Sequence, residues 1–155
     1  MNKVAFLIGS KSDKKIVEHS LEYFNYFNID AEIIVMSAHR NPNDVHNFAS
    51  KAKENGYSTI ICGAGMAAHL AGAVKANTIL PVIGVPLPGG MMDGLDSLLS
   101  TVQMPKGVPV ATTSVGKAGA INAAILSAEI LALNDSDISD KLLKFKSNGA
   151  TLSGI

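Results

Sequence analysis

The sequence predicts an α/β domain of three layers (αβα), in which a parallel five-stranded sheet core is covered by helices on both faces and followed by an additional C-terminal helix. Three observations carry this reading. Short runs rich in Val, Ile and Leu recur at residues 4–8, 31–35, 59–62, 81–85 and 108–111, each followed by Gly, Ser or Pro, the punctuation expected of buried strands. Between them lie segments with apolar residues three and four apart, the spacing of helices that cover one face. The runs are apolar throughout rather than alternating, as strands buried on both sides of a parallel sheet must be.

In chain order, the first strand at 4–8 leads into a helical segment with Ile16, Val17, Leu21, Phe24 and Phe27 on its buried side. The second strand, 31–35, precedes a helix carrying Val45, Phe48, Ala49 and Ala52 inward. After the third strand, 59–62, comes a helix with Leu70, Val74 and neighbouring alanines, and after the fourth, 81–85, one with Leu95, Leu98, Leu99 and Val102. The fifth strand, 108–111, is followed by a long helix over about 117–133, a further helix over 136–146 and a Gly/Ser-containing tail. Strand–helix alternation of this kind predicts a flavodoxin-like strand order. The expectation is one domain over 1–155, with its C-terminal helix and tail from about 135.

The composition excludes several classes. With 155 residues, 47% hydrophobic and 17% charged, the chain has material for one core and is not a disordered segment. Thirteen Lys and Arg balance thirteen Asp and Glu, so no basic footprint points to nucleic acid or to an anionic membrane. Cys62 stands alone, without a CxxC or Cys/His cluster, which argues against a disulfide scaffold and against a metal site. The apolar stretch at 4–8 is shorter than a signal-peptide core of roughly 7–15 residues, and 118–133 falls short of the roughly 20 apolar residues of a spanning helix. A cytoplasmic location is expected.

Between residues 57 and 105 the only charged residues are Lys75, Asp93 and Asp96, although helices on a sheet normally keep a charged outer face. That surface is expected to be covered by other copies of the chain.

In a parallel sheet the ligand site lies beyond the carboxyl ends of the strands, so the loops after the first three strands are the candidates. Gly9-Ser10-Lys11-Ser12-Asp13 sits directly before a helix and suits either an anion cradle or a simple capping turn with Ser12 or Asp13 as N-cap. Ser37-Ala38-His39-Arg40-Asn41-Pro42 sets an imidazole, the side chain most easily tuned to exchange protons near neutral pH, beside a guanidinium suited to phosphate. Gly63-Ala64-Gly65-Met66-Ala67-Ala68-His69-Leu70-Ala71-Gly72 permits close backbone approach to a ligand and adds a second histidine. It is neither a Walker motif nor a dinucleotide fingerprint. The segment from Pro86 to Ser100 is too Gly-rich for one element and too apolar for a free loop, and suits a lid or a subunit contact. His19 and His46 fall inside amphipathic helices and read as solvated surface residues.

GSKSD at 9–13, SAHRNP at 37–42, GAGMAAHLAG at 63–72, PVIGVP at 81–86, DSLLSTVQMPKGVPVAT at 96–112 and GKAGAINAAILSAEIL at 116–131 together resemble the 5-(carboxyamino)imidazole ribonucleotide mutases of purine biosynthesis, over almost the whole chain. The resemblance implies a flavodoxin-like subunit in a homo-octamer, with active sites near subunit contacts. It also implies transfer of a carboxyl group from the exocyclic nitrogen of the ribonucleotide to ring carbon 4, without ATP, metal or organic cofactor. A partner synthetase that hands over the labile carbamate transiently would fit this chemistry.

One proton enters and one leaves in such a transfer, so a single imidazole can serve, and His39 is the expected general acid/base by both chemistry and motif. By motif match Ser10, Ser12 and Asp13 carry over as ribonucleotide-binding positions and Arg40 as the phosphate-binding cation. Asp13 would repel phosphate, so it is assigned to ribose hydroxyls or to holding the loop. Ser37, Ala38, Gly65, Ala67, His69 and Leu70 are expected to line the imidazole and carboxylate pocket. The sequence departs from the common pattern at Lys14 for a frequent Trp, Asn41 for Thr, Met66 for Gly and Ala71 for Pro.

Two other readings compete. A related carboxylase that uses free carbon dioxide on the same scaffold typically has His-Lys where this chain has His39-Arg40, and usually lacks the Ala67-Ala68-His69-Leu70 run. A non-catalytic flavodoxin-like binding module is the second, because a fold alone does not decide function.

Overall fold

The structure is a computed structural model that describes residues 2–155. Five strands, β1 (Lys3–Ile8), β2 (Asp30–Val35), β3 (Tyr57–Ala64), β4 (Val82–Pro86) and β5 (Ala111–Thr112), form one sheet in the order β2-β1-β3-β4-β5. Every pairing is parallel. This is the flavodoxin-like order, and it puts the strand-order reversal at β1 and β3.

Alternate strand residues supply two separate cores. Val4, Phe6 and Ile8 of β1, Ile61 of β3 and Ile83 and Val85 of β4 point to one face. Helices α1 (Lys14–Val17), α2 (Leu21–Tyr26), α6 (Lys117–Ala132) and α7 (Ser136–Ser147) cover that face, with Phe24, Phe27 and Phe145 filling it. Ala5, Leu7, Ile60, Cys62 and Val82 point the other way, against α3 (Pro42–Lys51) and α4 (Leu70–Lys75), where Val45, Ala49, Leu70, Ala71 and Val74 fill the layer. Burial pushes the Cys62 thiol well above its ordinary range, so it behaves as a small hydrophobe.

Helix α5 (Leu95–Val102) lies over β4 on this second face with its polarity inverted. Its sheet-facing residues are Ser97 and Thr101, both buried, whereas Leu95, Leu99 and Val102 are exposed. Close approach explains this choice: a Cβ on Gly84 of β4 would stand 2.4 Å from Thr101 Cγ2, so there is no room for a leucine between helix and strand. The buried hydroxyls are satisfied locally, Ser97 Oγ lying 2.8 Å from the Leu87 carbonyl and Thr101 Oγ1 2.7 Å from that of Ser97.

Two expectations are corrected. The fifth strand is not 108–111 but the two residues Ala111–Thr112. Pro109 has no N–H for the ladder, and pairing with β4 starts only at Ala111 opposite Ile83. The first helical segment is not one helix, since a 3-10 turn at Glu18–Ser20 separates α1 from α2. Buried Ser20 donates its hydroxyl hydrogen to the Val17 carbonyl at 2.6 Å, which draws the chain into the tighter turn. Among the described residues no helix is long and apolar enough to cross a membrane.

Candidate active site

The loops leaving β1, β2 and β3 converge because β1 lies between the other two strands. They enclose a cavity of about 500 Å³ at the carboxyl edge of the sheet. Every residue singled out from the sequence borders it: Ser10, Ser12 and Asp13 from the first loop, Ser37, Ala38, His39 and Arg40 from the second, and Gly65, Ala67, His69 and Leu70 from the third.

The first loop is a reciprocal cap. Ser10 is the N-cap of the 3-10 turn Lys11–Asp13, and Asp13 stands at the N-cap of α1 without a side-chain cap bond. Its side chain accepts from the Ser12 N–H at 3.3 Å, while the Asp13 carboxylate accepts from the Ser10 N–H at 3.1 Å. Periodicity alone does not mark Ser10, because helical spacing starts only at Ile16 and cap geometry depends on backbone angles. Burial raises the Asp13 carboxyl above its ordinary range, opposed by the bonds from Ser10 and Ser12. Asp13 therefore holds this turn, while the two hydroxyls, 2.9 Å apart, border the cavity.

The second loop closes on itself: the Asn41 N–H donates to the Ser37 carbonyl at 2.8 Å, and the Arg40 N–H donates to Ser37 Oγ at 3.3 Å. Pro42 then opens α3 at a position where a missing N–H costs nothing. This leaves the His39 and Arg40 side chains exposed at the rim. The Arg40 guanidinium enters none of the ion pairs found among the described residues, so its five donors remain available to an anion.

The third loop brings the second imidazole across. His39 Nε2 lies 2.8 Å from His69 Nδ1, with the two rings nearly perpendicular at 79° and their centroids 4.9 Å apart. A hydrogen bond of this length needs one nitrogen to donate and the other to accept, so the tautomer of one ring fixes that of the other. The same wall contains Met66 at φ +55°. Beneath it, Leu70 is buried and fixes the start of α4.

Residues that the sequence reasoning left out of the site are Gly9, Ala64, Met66, Pro88 and Gly89. Pro88 and Gly89 follow β4 as the other loops follow their strands, so extending the carboxyl-end rule to the fourth strand finds them. His46 is elsewhere, bridging α3 to the end of α4 through a 2.7 Å contact with Asn77 Oδ1, and His19 is exposed on the 3-10 turn. Among the described residues no group of three or more His, Cys, Asp or Glu is arranged to hold a metal ion.

Fold and site together define an α/β protein with a cavity at the strand-order reversal of a flavodoxin-like sheet, the place where such sheets take ligands. The family model described as AIR carboxylase matches residues 3–151, and the chain belongs to this family. It is 49% identical over 140 residues to an N5-carboxyaminoimidazole ribonucleotide mutase of Escherichia coli K12, covering 90% of this chain and 83% of that protein. It is also 49% identical to the Bacillus subtilis protein of the same name, covering 94% of this chain and 90% of the relative. Among solved structures, PurE of Treponema denticola superimposes with a TM-score of 0.85 at 28% identity, over 96% of this chain and 91% of that one.

Proposed function

We propose that this cavity isomerises 5-carboxyamino-1-(5-phosphoribosyl)imidazole to 5-amino-1-(5-phosphoribosyl)imidazole-4-carboxylate in purine biosynthesis, with His39 as general acid and then general base. Family membership and two relatives of about half identity named as mutases support the isomerase class. The observation that carries the role of His39 is its 2.8 Å contact with His69 on the wall of the cavity.

The chemistry follows from the groups present. His39 delivers a proton to the carbamate nitrogen, the C–N bond breaks with its electron pair returning to nitrogen, and carbon dioxide is released beside an electron-rich aminoimidazole. Ring carbon 4 then attacks that carbon dioxide, and the proton displaced from carbon 4 returns to the imidazole. The proton count closes without an external acid or base. His69, bonded to His39, orients its ring and provides a second nitrogen on which the proton can rest. Arg40 and the hydroxyls of Ser10 and Ser12 suit the 5′-phosphate, and Asp13 keeps the first loop in shape.

The surface supports association with further copies, eight in the number that the resemblance implies. Met91, Met92, Leu95, Leu99 and Val102 are all exposed on one side of the chain next to the cavity loop at Pro88 and Gly89. A cytoplasmic location fits the reduced, buried Cys62.

The test is NMR of the protein mixed with substrate labelled with ¹³C in its carbamate carboxyl, alongside His39→Asn. Label appearing on ring carbon 4, with turnover in the variant reduced at least ~100-fold while nucleotide binding persists, is the expected result. Carboxylation from unsubstituted aminoimidazole ribonucleotide and added carbon dioxide alone would favour the carboxylase chemistry in the family description. An unimpaired His39→Asn would remove His39 from the proton transfer.

A further inference from the structure

The third loop is held by a helix that lies outside the cavity wall. None of the residues found bordering the cavity belongs to α5, yet Ser100 of that helix reaches the loop. Its Oγ lies 2.7 Å from the Asp96 carbonyl oxygen, one helical turn back, and 3.3 Å from those of Ser97 and Met66. A hydroxyl has one hydrogen, and the shortest of these contacts takes it, which leaves a lone pair for a donor. The Ala68 N–H fills that place at 2.9 Å. Ala68 is buried, where a backbone donor must find a partner, and Ser100 Oγ is the acceptor found for it among the described residues.

His69 is the next residue. Its carbonyl accepts the Ala73 N–H at 3.0 Å in the first turn of α4, and buried Leu70 seats that turn in the core. The chain on the C-terminal side of His69 is thus set by α4. On the N-terminal side it arrives through Met66 at φ +55°, a conformation that persists only where the surroundings impose it. Between Met66 and His69 the backbone contacts with another element, among the described residues, both go to Ser100.

The position of His69 matters because its Nδ1 stands 2.8 Å from His39 Nε2, and a displacement of about 0.8 Å along that line ends the hydrogen bond. We propose that Ser100 is a positioning residue for the isomerisation: by fixing Ala68 it holds the His69 ring at hydrogen-bond distance from His39. The His39 ring thereby keeps the orientation and tautomer that proton transfer needs. The inference rests on the mutase reading above. Ser100 is not among the lining residues of the cavity, and Arg40, Ser10 and Ser12 belong to the other two loops. Its loss therefore acts on the chemical step and leaves the anion-binding groups in place.

The experiment compares kcat and KM for isomerisation of the carbamate substrate by the full chain, as wild type, Ser100→Ala, Ser100→Thr, His69→Asn and the double variant Ser100→Ala with His69→Asn. Ser100→Ala is expected to lower kcat about 10-fold with KM changed less than ~2-fold, because a misplaced proton-transfer group slows chemistry without weakening binding. Ser100→Thr keeps an oxygen that can bond back along the helix and accept the Ala68 N–H, and is expected to return kcat to within ~3-fold of the wild type. In the His69→Asn background the Ser100→Ala change is expected to cost less than ~2-fold, since the group it positions is gone. Ser100→Ala with wild-type kcat, or with a raised KM and unchanged kcat, overturns the role of Ser100. So does a Ser100→Thr as slow as Ser100→Ala, a loss in the His69→Asn background equal to that in the wild type, or a His69→Asn that turns over like the wild type. Each of these leaves the mutase reading standing. Absence of any carbon 4 product from the wild type removes the mutase reading and this inference together.

Discussion

Helices α5 and α6 both carry apolar side chains on the side away from the sheet, and the fold uses them in opposite ways. Each turns small residues to the sheet: Gly119, Ala120, Ala123, Ala124 and Ala128 in α6, Ser97 and Thr101 in α5. Each sends its larger residues outward. In α6 these are Ile125, Leu126, Ile130 and Leu131, and they are packed into the first core, which α7 and α2 complete. In α5 they are Leu95, Leu99 and Val102, exposed at 39%, 56% and 46%. What sets their outer faces apart is whether this chain supplies a second layer over them. Where it does, the apolar surface becomes core, and where it does not, the surface stays exposed, the face proposed above for contact with another copy.

The strongest way to break the comparison is to remove that second layer from α6. Phe145 of α7 is buried, edge-on to Tyr23 and Phe27. Phe145→Ala is expected to cost about 3–5 kcal/mol, the range for deleting a core aromatic ring. Urea unfolding at fixed protein concentration measures it, and a loss below ~1 kcal/mol would mean that α7 is peripheral to the core.

Ser97→Ala tests the inner side of α5. The buried hydroxyl bonds to the backbone next to the cavity loop, so its loss is expected to cost about 1 kcal/mol. A stabilised variant in the same unfolding assay would show that the polar inner face is dispensable.

Leu99→Glu sharpens the contrast with the smallest effect on the chain itself. Unfolding of the dissociated chain should change by less than ~0.5 kcal/mol, because Leu99 makes little of the intramolecular core. Sedimentation should nevertheless shift to smaller species. An unchanged sedimentation coefficient would place the proposed contact elsewhere on the surface.

Much of the site was legible because strand order follows from few rules. Once 4–8, 31–35 and 59–62 read as parallel strands, the carboxyl-end rule sends GSKSD, SAHRNP and GAGMAAHLAG to one place. The contact between His39 and His69 was not legible. It requires β2 and β3 to flank β1 at about two strand spacings, roughly 10 Å, a gap that two imidazoles facing each other can close. Ser10 as the N-cap and the two-residue β5 also escaped, since one depends on backbone angles and the other on a proline whose effect is decided by its strand partner.

The sequence by itself determined the α/β layering, the four longer strands and the residue types at the site, because hydrophobic periodicity and turn chemistry are local properties. The tertiary structure alone decided which side of α5 faces the sheet, how two histidines thirty residues apart come within hydrogen-bond distance, and that Met66 adopts a left-handed backbone at the cavity rim. Each of these depends on distances between segments remote in the chain, which the packing of the sheet and its helices sets and no local pattern encodes.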